Sequence, residues 1–88
     1  MPNLKSAKKR MRVSERQRVE NYAVRNRIRT YQRRFADALL GEDQSVMAEA
    51  FSAYCSILDK AAKRRVIAKN TAIRSKTRAA GRLRKATA

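Results

Sequence analysis

Positive charge, and its uneven distribution along the chain, constrains the fold of this sequence more than any other feature. The 88 residues include 23 Lys and Arg against 7 Asp and Glu, for a net charge of +16. Residues 1–34 carry +10, residues 35–59 carry −5 and residues 60–88 carry +11. This charge exceeds what solubility requires and opposes compact folding by self-repulsion. We therefore expect two basic segments that face a polyanion, and an acidic segment between them that faces away from it.

The residue types exclude most classes of enzyme. The chain contains no His, so it cannot form an imidazole base, a histidine-bound zinc site or a catalytic triad. Cys55 is the only Cys, which excludes intramolecular disulfides and cysteine-based metal clusters, and we interpret it as a packing residue. No apolar run exceeds three residues, which is too short for a membrane span. We expect a soluble, cytoplasmic, non-enzymatic protein without a metal, a cofactor, a small-molecule substrate or an obligate homo-oligomer.

Apolar residues spaced three or four apart predict an all-α fold, a three-helix antiparallel bundle. On the first helix these positions are Val24, Ile28, Tyr31, Phe35 and Ala38 or Leu39. Gly41 follows them and suits a left-handed residue at the helix end, and either Asp43 or Ser45 could cap the next helix. On the second helix the apolar positions are Met47, Ala50 or Phe51, Tyr54, Ile57 or Leu58, and Ala61. The acidic residues of this second helix are expected to face solvent.

The third helix is less clearly marked. A break between Arg64 and Asn70 would let a turn bring the chain back against the second helix. The apolar stripe then continues through Val66, Ile73, Thr77, Ala80 and Leu83. A cationic row follows spacings of four, four and three on the same helix: Arg74, Arg78, Arg82 and Lys85. One helix can thus pack against protein with its stripe and bind a ligand with its row.

The first helix is predicted to be longer than its partners. A run from about Ser6 to Leu40 extends about 52 Å at 1.5 Å per residue, whereas the second helix spans about 30 Å. Residues 1–23 would form a long, protruding basic arm and residues 24–88 the bundle, within a single RNA-binding helical domain. Several cations of the arm lie four residues apart, which opposes helix formation. We expect the arm to fray in the free protein and to become helical when phosphates neutralise it.

Folded RNA is the polyanion that these residues suit best. Arginine dominates, and its planar guanidinium matches the geometry of phosphate oxygens. Asn, Ser and Thr side chains among the cations could bond to sugars or to exposed base edges. The aromatic residues of the apolar stripes are expected in the core and not as a platform for single-stranded bases: Tyr31, Phe35, Phe51 and Tyr54. Recognition of a phosphate backbone by its shape is therefore favoured.

Several motifs, taken in order and spacing, resemble a known family. They are Asn3-Leu4-Lys5-Ser6-Ala7-Lys8-Lys9-Arg10, Arg27-Ile28-Arg29-Thr30, Gly41-Glu42-Asp43, Asp59-Lys60-Ala61-Ala62-Lys63 and Ile67-Ala68-Lys69-Asn70-Thr71-Ala72-Ile73-Arg74-Ser75-Lys76-Thr77-Arg78. From Pro2 to about Arg84 the chain is similar to the twentieth protein of the bacterial small ribosomal subunit. It departs from that family at Arg65, where glycine is usual, and at Ala68, where histidine is usual. The first departure affects the turn, because a left-handed conformation costs Arg more than Gly.

The resemblance implies a structural constituent of the small ribosomal subunit that binds 16S ribosomal RNA directly and stabilises its folded form during early assembly. It implies RNA contacts at Lys5, Ser6, Lys8, Lys9 and Arg10 of the arm and at Lys69, Asn70, Arg74, Lys76 and Arg78 of the third helix. The residues themselves add further candidate contacts at Arg12, Arg16, Asn21, Arg25, Arg29, Arg33 and Arg82.

Two other classes of function share some of these features. A DNA-coating, nucleoid-type protein could also use a basic arm and a small helical bundle, and this is the alternative prediction. A membrane-surface helix would need a broad apolar face beside its cations. Leu4, Met11 and Val19 are too sparse to provide such a face.

Overall fold

The computed structural model describes residues 4–87, which form three helices and no strand. Helix α1 spans Leu4–Leu40, α2 spans Gln44–Lys63 and α3 spans Lys69–Thr87. Helix α2 packs antiparallel against α1, and α3 turns back along α2. The predicted all-α, three-helix fold is confirmed.

Helix α1 is much longer than the bundle that it helps to form. Its 37 residues extend about 55 Å at 1.5 Å per residue. Every side chain from Lys5 to Ala23 is exposed, and Val24 is the first buried one. The molecule measures 66 × 21 × 13 Å, with a radius of gyration of 17.8 Å, whereas a compact domain of this length has about 12 Å. The N-terminal half of α1 therefore projects from the bundle as a rod.

Phe35 lies at the centre of the core. It is 1% exposed, and its ring centroid lies 5.8 Å from that of Phe51 and 6.1 Å from that of Tyr54. The other buried members of this cluster are Leu58, Ala72 and Ala79. Burying a side chain as large as Phe or Leu contributes about 1.5–3 kcal/mol. The predicted stripes of α1 and α2 are thus confirmed, and all three helices meet around one aromatic ring.

A second, smaller cluster closes the bundle where the arm begins. It consists of Val24, Ala61 and Val66, with Ile28 and Ile67 packed against it. Because Val66 belongs to the connection between α2 and α3, this cluster fixes that turn to the base of the arm.

Helix α3 turns a different face to the core from the one that the sequence predicted. The buried residues are Ala72 and Ala79, whereas Ile73 is 49% exposed and Thr77 is exposed. The predicted stripe is therefore wrong at Ile73 and Thr77, by one residue or about 100° of rotation. Its members Val66 and Leu83 do contact the core, as predicted. Because Ala72 and Ala79 are small, α3 can pack closely against the two helices that carry the aromatic core. The bulkier Ile73 lies outside this contact.

The turn between α1 and α2 contains both residues that the sequence offered as the N-cap of α2, Asp43 and Ser45. Asp43 is the N-cap, and its carboxylate accepts a hydrogen bond from the backbone N–H of Ser45 at 2.9 Å. Gly41 directly follows α1, but its φ is not positive, so the left-handed conformation predicted there is wrong. The Gly41 N–H instead donates to the carbonyl of Ala38 at 3.1 Å, a tight final turn that other residues can also adopt.

Within residues 4–87 the left-handed conformation is adopted by an arginine. Arg65 has a φ of 61° and follows the C-terminus of α2. Its N–H donates to the carbonyl of Ala62 at 3.0 Å, and the N–H of Val66 donates to the carbonyl of Ala61 at 3.0 Å. These two bonds satisfy carbonyls that the helix end would otherwise leave unpaired, and Val66 packs against Ala61 below them. The turn thus forms with Arg in the position that favours Gly.

Replacing this arginine should stabilise the protein. Arg65→Gly removes the cost of a left-handed side chain, roughly 1–2 kcal/mol, and adds the chain entropy of Gly, about 0.5–1 kcal/mol. We expect the free energy of unfolding to rise by about 0.5–1 kcal/mol, measured by urea denaturation. The charge-matched control is Arg64→Gly, at a residue with φ −81°, which should lower stability by about 0.5–1 kcal/mol. Equal effects of the two variants would contradict the strain at Arg65.

A second pair of variants tests which face of α3 packs inward. Ile73→Ala should cost less than about 1 kcal/mol, since the side chain is half exposed and Ala favours helix. Leu58→Ala, at a side chain that is 2% exposed, should cost about 2–5 kcal/mol. Thermal unfolding followed by circular dichroism would compare them. If Ile73→Ala lowered the stability as much as Leu58→Ala, Ile73 would face the core, as the sequence predicted.

Candidate nucleic-acid interface

Basic side chains form a stripe along the arm. One shallow groove on this helix is lined by Lys5, Lys8, Lys9, Val13, Arg12 and Arg16. Ser6 and Arg10 lie beside it and share Lys9 and Val13 with it. All of these side chains are exposed. The helical repeat therefore brings Lys5, Lys8, Lys9, Arg12 and Arg16 together on one side of the rod, while Ser6 and Arg10 lie on its flank, about 100–140° from Lys5.

The base of the arm continues the basic surface onto the bundle. Asn21 and Arg25 line a groove together with Arg18 and Tyr22. Arg25, Arg29 and Arg33 follow at intervals of four residues, so they form one exposed line that drifts by about 40° per step. The Tyr22 ring is 66% exposed within this polar groove.

The cationic row of α3 comes close to α1 at Arg82. Arg74 and Arg78 are exposed, and the guanidinium carbon of Arg82 lies 5.9 Å from the centroid of the Phe35 ring on α1. Arg82 thus covers one side of the core while it remains exposed itself. Lys69 and Asn70 are exposed in the first turn of the same helix.

Lys76 differs from the other predicted contacts because it has a partner inside the protein. Its Nζ donates to Oδ1 of Asp59 at 2.8 Å and so links α3 to α2. This hydrogen bond raises the pKa of Lys76. A raised pKa means that the bridge is present at neutral pH and is lost only as the pH rises through the folded-state pKa, above the usual range of lysine. A contact between Lys76 and RNA stays a prediction.

Cys55 lies close to this ion pair but does not supply chemistry of its own. The side chain is half-buried on α2, and burial raises the pKa of its thiol. A thiol with a raised pKa stays protonated at neutral pH and is a poor nucleophile. The position fits the predicted packing role.

Few cations are neutralised within the protein. Among residues 4–87 the ion pairs are Arg18 with Glu15 and Lys76 with Asp59. Of the predicted contact residues, only Lys76 takes part in either pair. The other predicted contact residues form no ion pair among residues 4–87, so their charge is available to an external polyanion.

A further set of basic residues was not among the predicted contacts. They line a groove between α1 and α2 and are Arg27, Lys60, Lys63 and Arg64. The floor of this groove is apolar and is formed by Val24, Ile57 and Ala61. The sequence predicts a helix break between Arg64 and Asn70, and Lys63, Arg64 and Arg65 are not among the contacts that it predicts. The spacing of three and four between Lys60, Lys63 and Arg64 was the available signal for a shared face.

The family model described as Ribosomal protein S20 matches residues 2–84. The chain belongs to this family. The resemblance seen in the sequence is confirmed, and membership makes the chain a structural, non-enzymatic constituent of the small ribosomal subunit. No helix within residues 4–87 is long and apolar enough to cross a bilayer.

Relatives in this family match the chain over most of its length. The chain is 40% identical over 86 residues to the small ribosomal subunit protein bS20 of Heliobacterium modesticaldum, and the match covers 98% of each chain. It is 42% identical over 77 residues to the protein of the same name from Baumannia cicadellinicola, covering 88% of each chain. A similar match, 43% identical over 77 residues, is with the protein of that name from a Mycobacterium species, covering 88% of this chain and 90% of the relative.

The helical arm should depend on charge neutralisation. No side chain from Lys5 to Ala23 is buried, and the first turn of α1 carries no acid to complement the helix dipole. We expect its amides to exchange hydrogen rapidly in the free protein and slowly when inorganic polyphosphate is added, measured in the full chain by mass spectrometry. The amides of α2 are the internal control and should be protected in both states. Equal protection of the arm without polyphosphate would contradict the prediction.

Proposed function

We propose that this S20-family protein binds 16S ribosomal RNA directly and stabilises the folded form of that RNA early in the assembly of the small subunit. The observation that carries the proposal is the rod of exposed side chains from Lys5 to Ala23, on which Lys5, Lys8, Lys9, Arg12 and Arg16 form one continuous stripe. A rod whose side chains are all exposed gains little from protein packing. A rod of this charge is stabilised by the phosphates that it contacts.

Phosphate neutralisation is the mechanism of stabilisation. The arm would contact phosphates through Lys5, Ser6, Lys8, Lys9, Arg10, Arg12 and Arg16, and the bundle would do so through Asn21, Arg25, Arg29, Arg33, Lys69, Asn70, Arg74, Lys76, Arg78 and Arg82. Close approach of RNA segments is opposed by repulsion between their backbones. Cations held on a rigid scaffold lower that repulsion. They do so without the loss of entropy that occurs when free counterions gather around the RNA. Side-chain amides and hydroxyls among the cations would bond to sugars or base edges.

The acidic part of the chain orients this contact. Glu42 and Glu49 are exposed at the turn between α1 and α2 and on α2 itself. Phosphates are repelled from that end of the bundle and attracted to the arm and to α3. The division into a basic arm, 1–23, and a bundle, 24–88, belongs to the same proposal, as does a cytoplasmic, ribosome-bound location.

Direct binding should show the salt dependence of phosphate contacts. The double variant Arg74→Gln/Arg78→Gln should weaken binding to 16S RNA about 10- to 30-fold near physiological salt and lower the slope of log K against log salt by about 2, by analogy with the duplex-DNA slope. Filter binding at several salt concentrations would measure both quantities.

A control variant separates this contact from net charge alone. Gln44→Glu/Ser52→Glu lowers the net charge by the same amount on an exposed part of α2, in a stretch, residues 44–59, that contains no cation. It should leave the salt slope unchanged. Equal loss in the two variants would mean that only net charge matters, and the proposed surface would be wrong. Displacement of the protein from 16S RNA by an equal concentration of duplex DNA would support DNA coating instead.

Assembly provides a second test. Small subunits reconstituted without the protein should have RNA helices that are more reactive to backbone-cleaving probes than subunits reconstituted with it. Addition of the wild-type protein should reverse this, and the double variant in α3 should do so less well. Unchanged reactivity without the protein would argue against a role in RNA folding.

A further inference from the structure

We infer that the groove between α1 and α2 is a separate binding site for the phosphate backbone of RNA, used by a different segment from the one that the α3 row contacts. The inference rests on the proposed function, because it takes RNA as the ligand. It adds Arg27, Lys60, Lys63 and Arg64 to the contact residues.

The direction of Arg27 separates this groove from the rest of the basic surface. Residues two positions apart on a helix point about 200° apart, so Arg27 is directed away from both Arg25 and Arg29. Arg27 lines the α1–α2 groove together with Lys60. The α3 row, by contrast, approaches the other two helices at Phe35 through Arg82. A single rigid phosphate backbone therefore cannot contact Arg27 and Arg29 at the same point along α1.

The charge of the groove is uncompensated. Its lining contains four cations and no acid. The neighbouring carboxylate in sequence, Asp59, is bonded to Lys76 on α3 and not to Lys60. Glu20 lines an adjacent groove at the base of the arm with Arg64 and Arg65, but it forms no ion pair there. An anionic ligand thus gains the full attraction of the four side chains.

The helix dipole explains only part of this cluster. Lys60 and Lys63 lie in the last turn of α2, where cations stabilise the helix C-terminus. Arg27 lies in the middle of α1 and has no such role, yet it lines the same groove. The convergence of side chains from two helices is therefore a property of the groove and not of one helix end.

The shape of the site favours a nucleic-acid backbone over a small anion. From Lys60 on α2 to the C-cap Arg64 the basic residues extend about 6 Å along the helix axis, so they can reach successive phosphates of one strand. The floor between them is narrow and apolar, formed by Val24, Ile57 and Ala61. It offers no backbone N–H of a helix N-terminus that would cradle a single phosphate, since the groove lies at the C-terminal end of α2.

Two charge-matched double variants of the full chain test this inference. Arg27→Gln/Lys60→Gln removes two cations from the groove, and Arg74→Gln/Arg78→Gln removes two from the α3 row. Each should lower the salt slope for 16S RNA by about 2. Hydroxyl-radical footprinting of the RNA should then show that each variant loses protection of a different set of nucleotides.

The outcomes separate the inference from the proposed function. A groove variant with wild-type salt slope and footprint, beside an impaired α3 variant, would overturn the inference and leave the proposed function standing. Loss of the same nucleotides in both variants would also overturn it, because one segment would then contact both surfaces. Wild-type binding by both variants would overturn the proposed function as well. Arg27→Gln/Lys60→Gln should keep the helical circular dichroism and the unfolding temperature of the wild-type protein; a loss of either together with the footprint would show that the groove acts only through folding, which also overturns the inference.

Discussion

Packing around Phe35 has to overcome the mutual repulsion of 23 basic residues, and this balance shapes the whole molecule. The core is small, so it can hold only the part of α1 from Val24 onward. The remaining length of α1 has no apolar stripe to bury and projects into solvent, where its cations lie farther from those of α3. The elongated shape thus lowers self-repulsion and presents the charge to a polyanion at the same time.

The acidic residues contribute to this balance in distinct ways. Asp43 caps α2, and Asp59 bonds to Lys76 and holds α3 against α2. Glu42 and Glu49 remain exposed at the end of the bundle opposite the arm. Because Asp59 is used within the protein, the groove that contains Lys60 stays free of negative charge. One ion pair therefore affects both the packing of a helix and the electrostatics of a neighbouring surface.

Several features could be predicted from the sequence because they depend on neighbours along the chain. Helix content, the projecting arm and the aromatic core follow from apolar spacing, and the cap was narrowed to Asp43 or Ser45. The departure at Arg65 was also visible in the sequence, as an arginine where glycine is usual. The sequence also pointed to a left-handed conformation at this turn, but only the structure shows that Arg65 adopts it, held by two hydrogen bonds and the burial of Val66. At Gly41 the sequence suggested a left-handed conformation, but the φ of this glycine is not positive. A glycine after a helix therefore need not be left-handed.

The sequence by itself determined where the helices and the charges lie, because helical periodicity and charge are properties of single residues and their near neighbours. Only the tertiary structure decided that Ala72 and Ala79, and not Ile73, face the core, because that choice depends on how closely two helix backbones can approach. It also decided that Lys76 meets Asp59, and that Arg27 shares a groove with Lys60. These partners lie 17 and 33 residues apart in the sequence, and no local rule connects them.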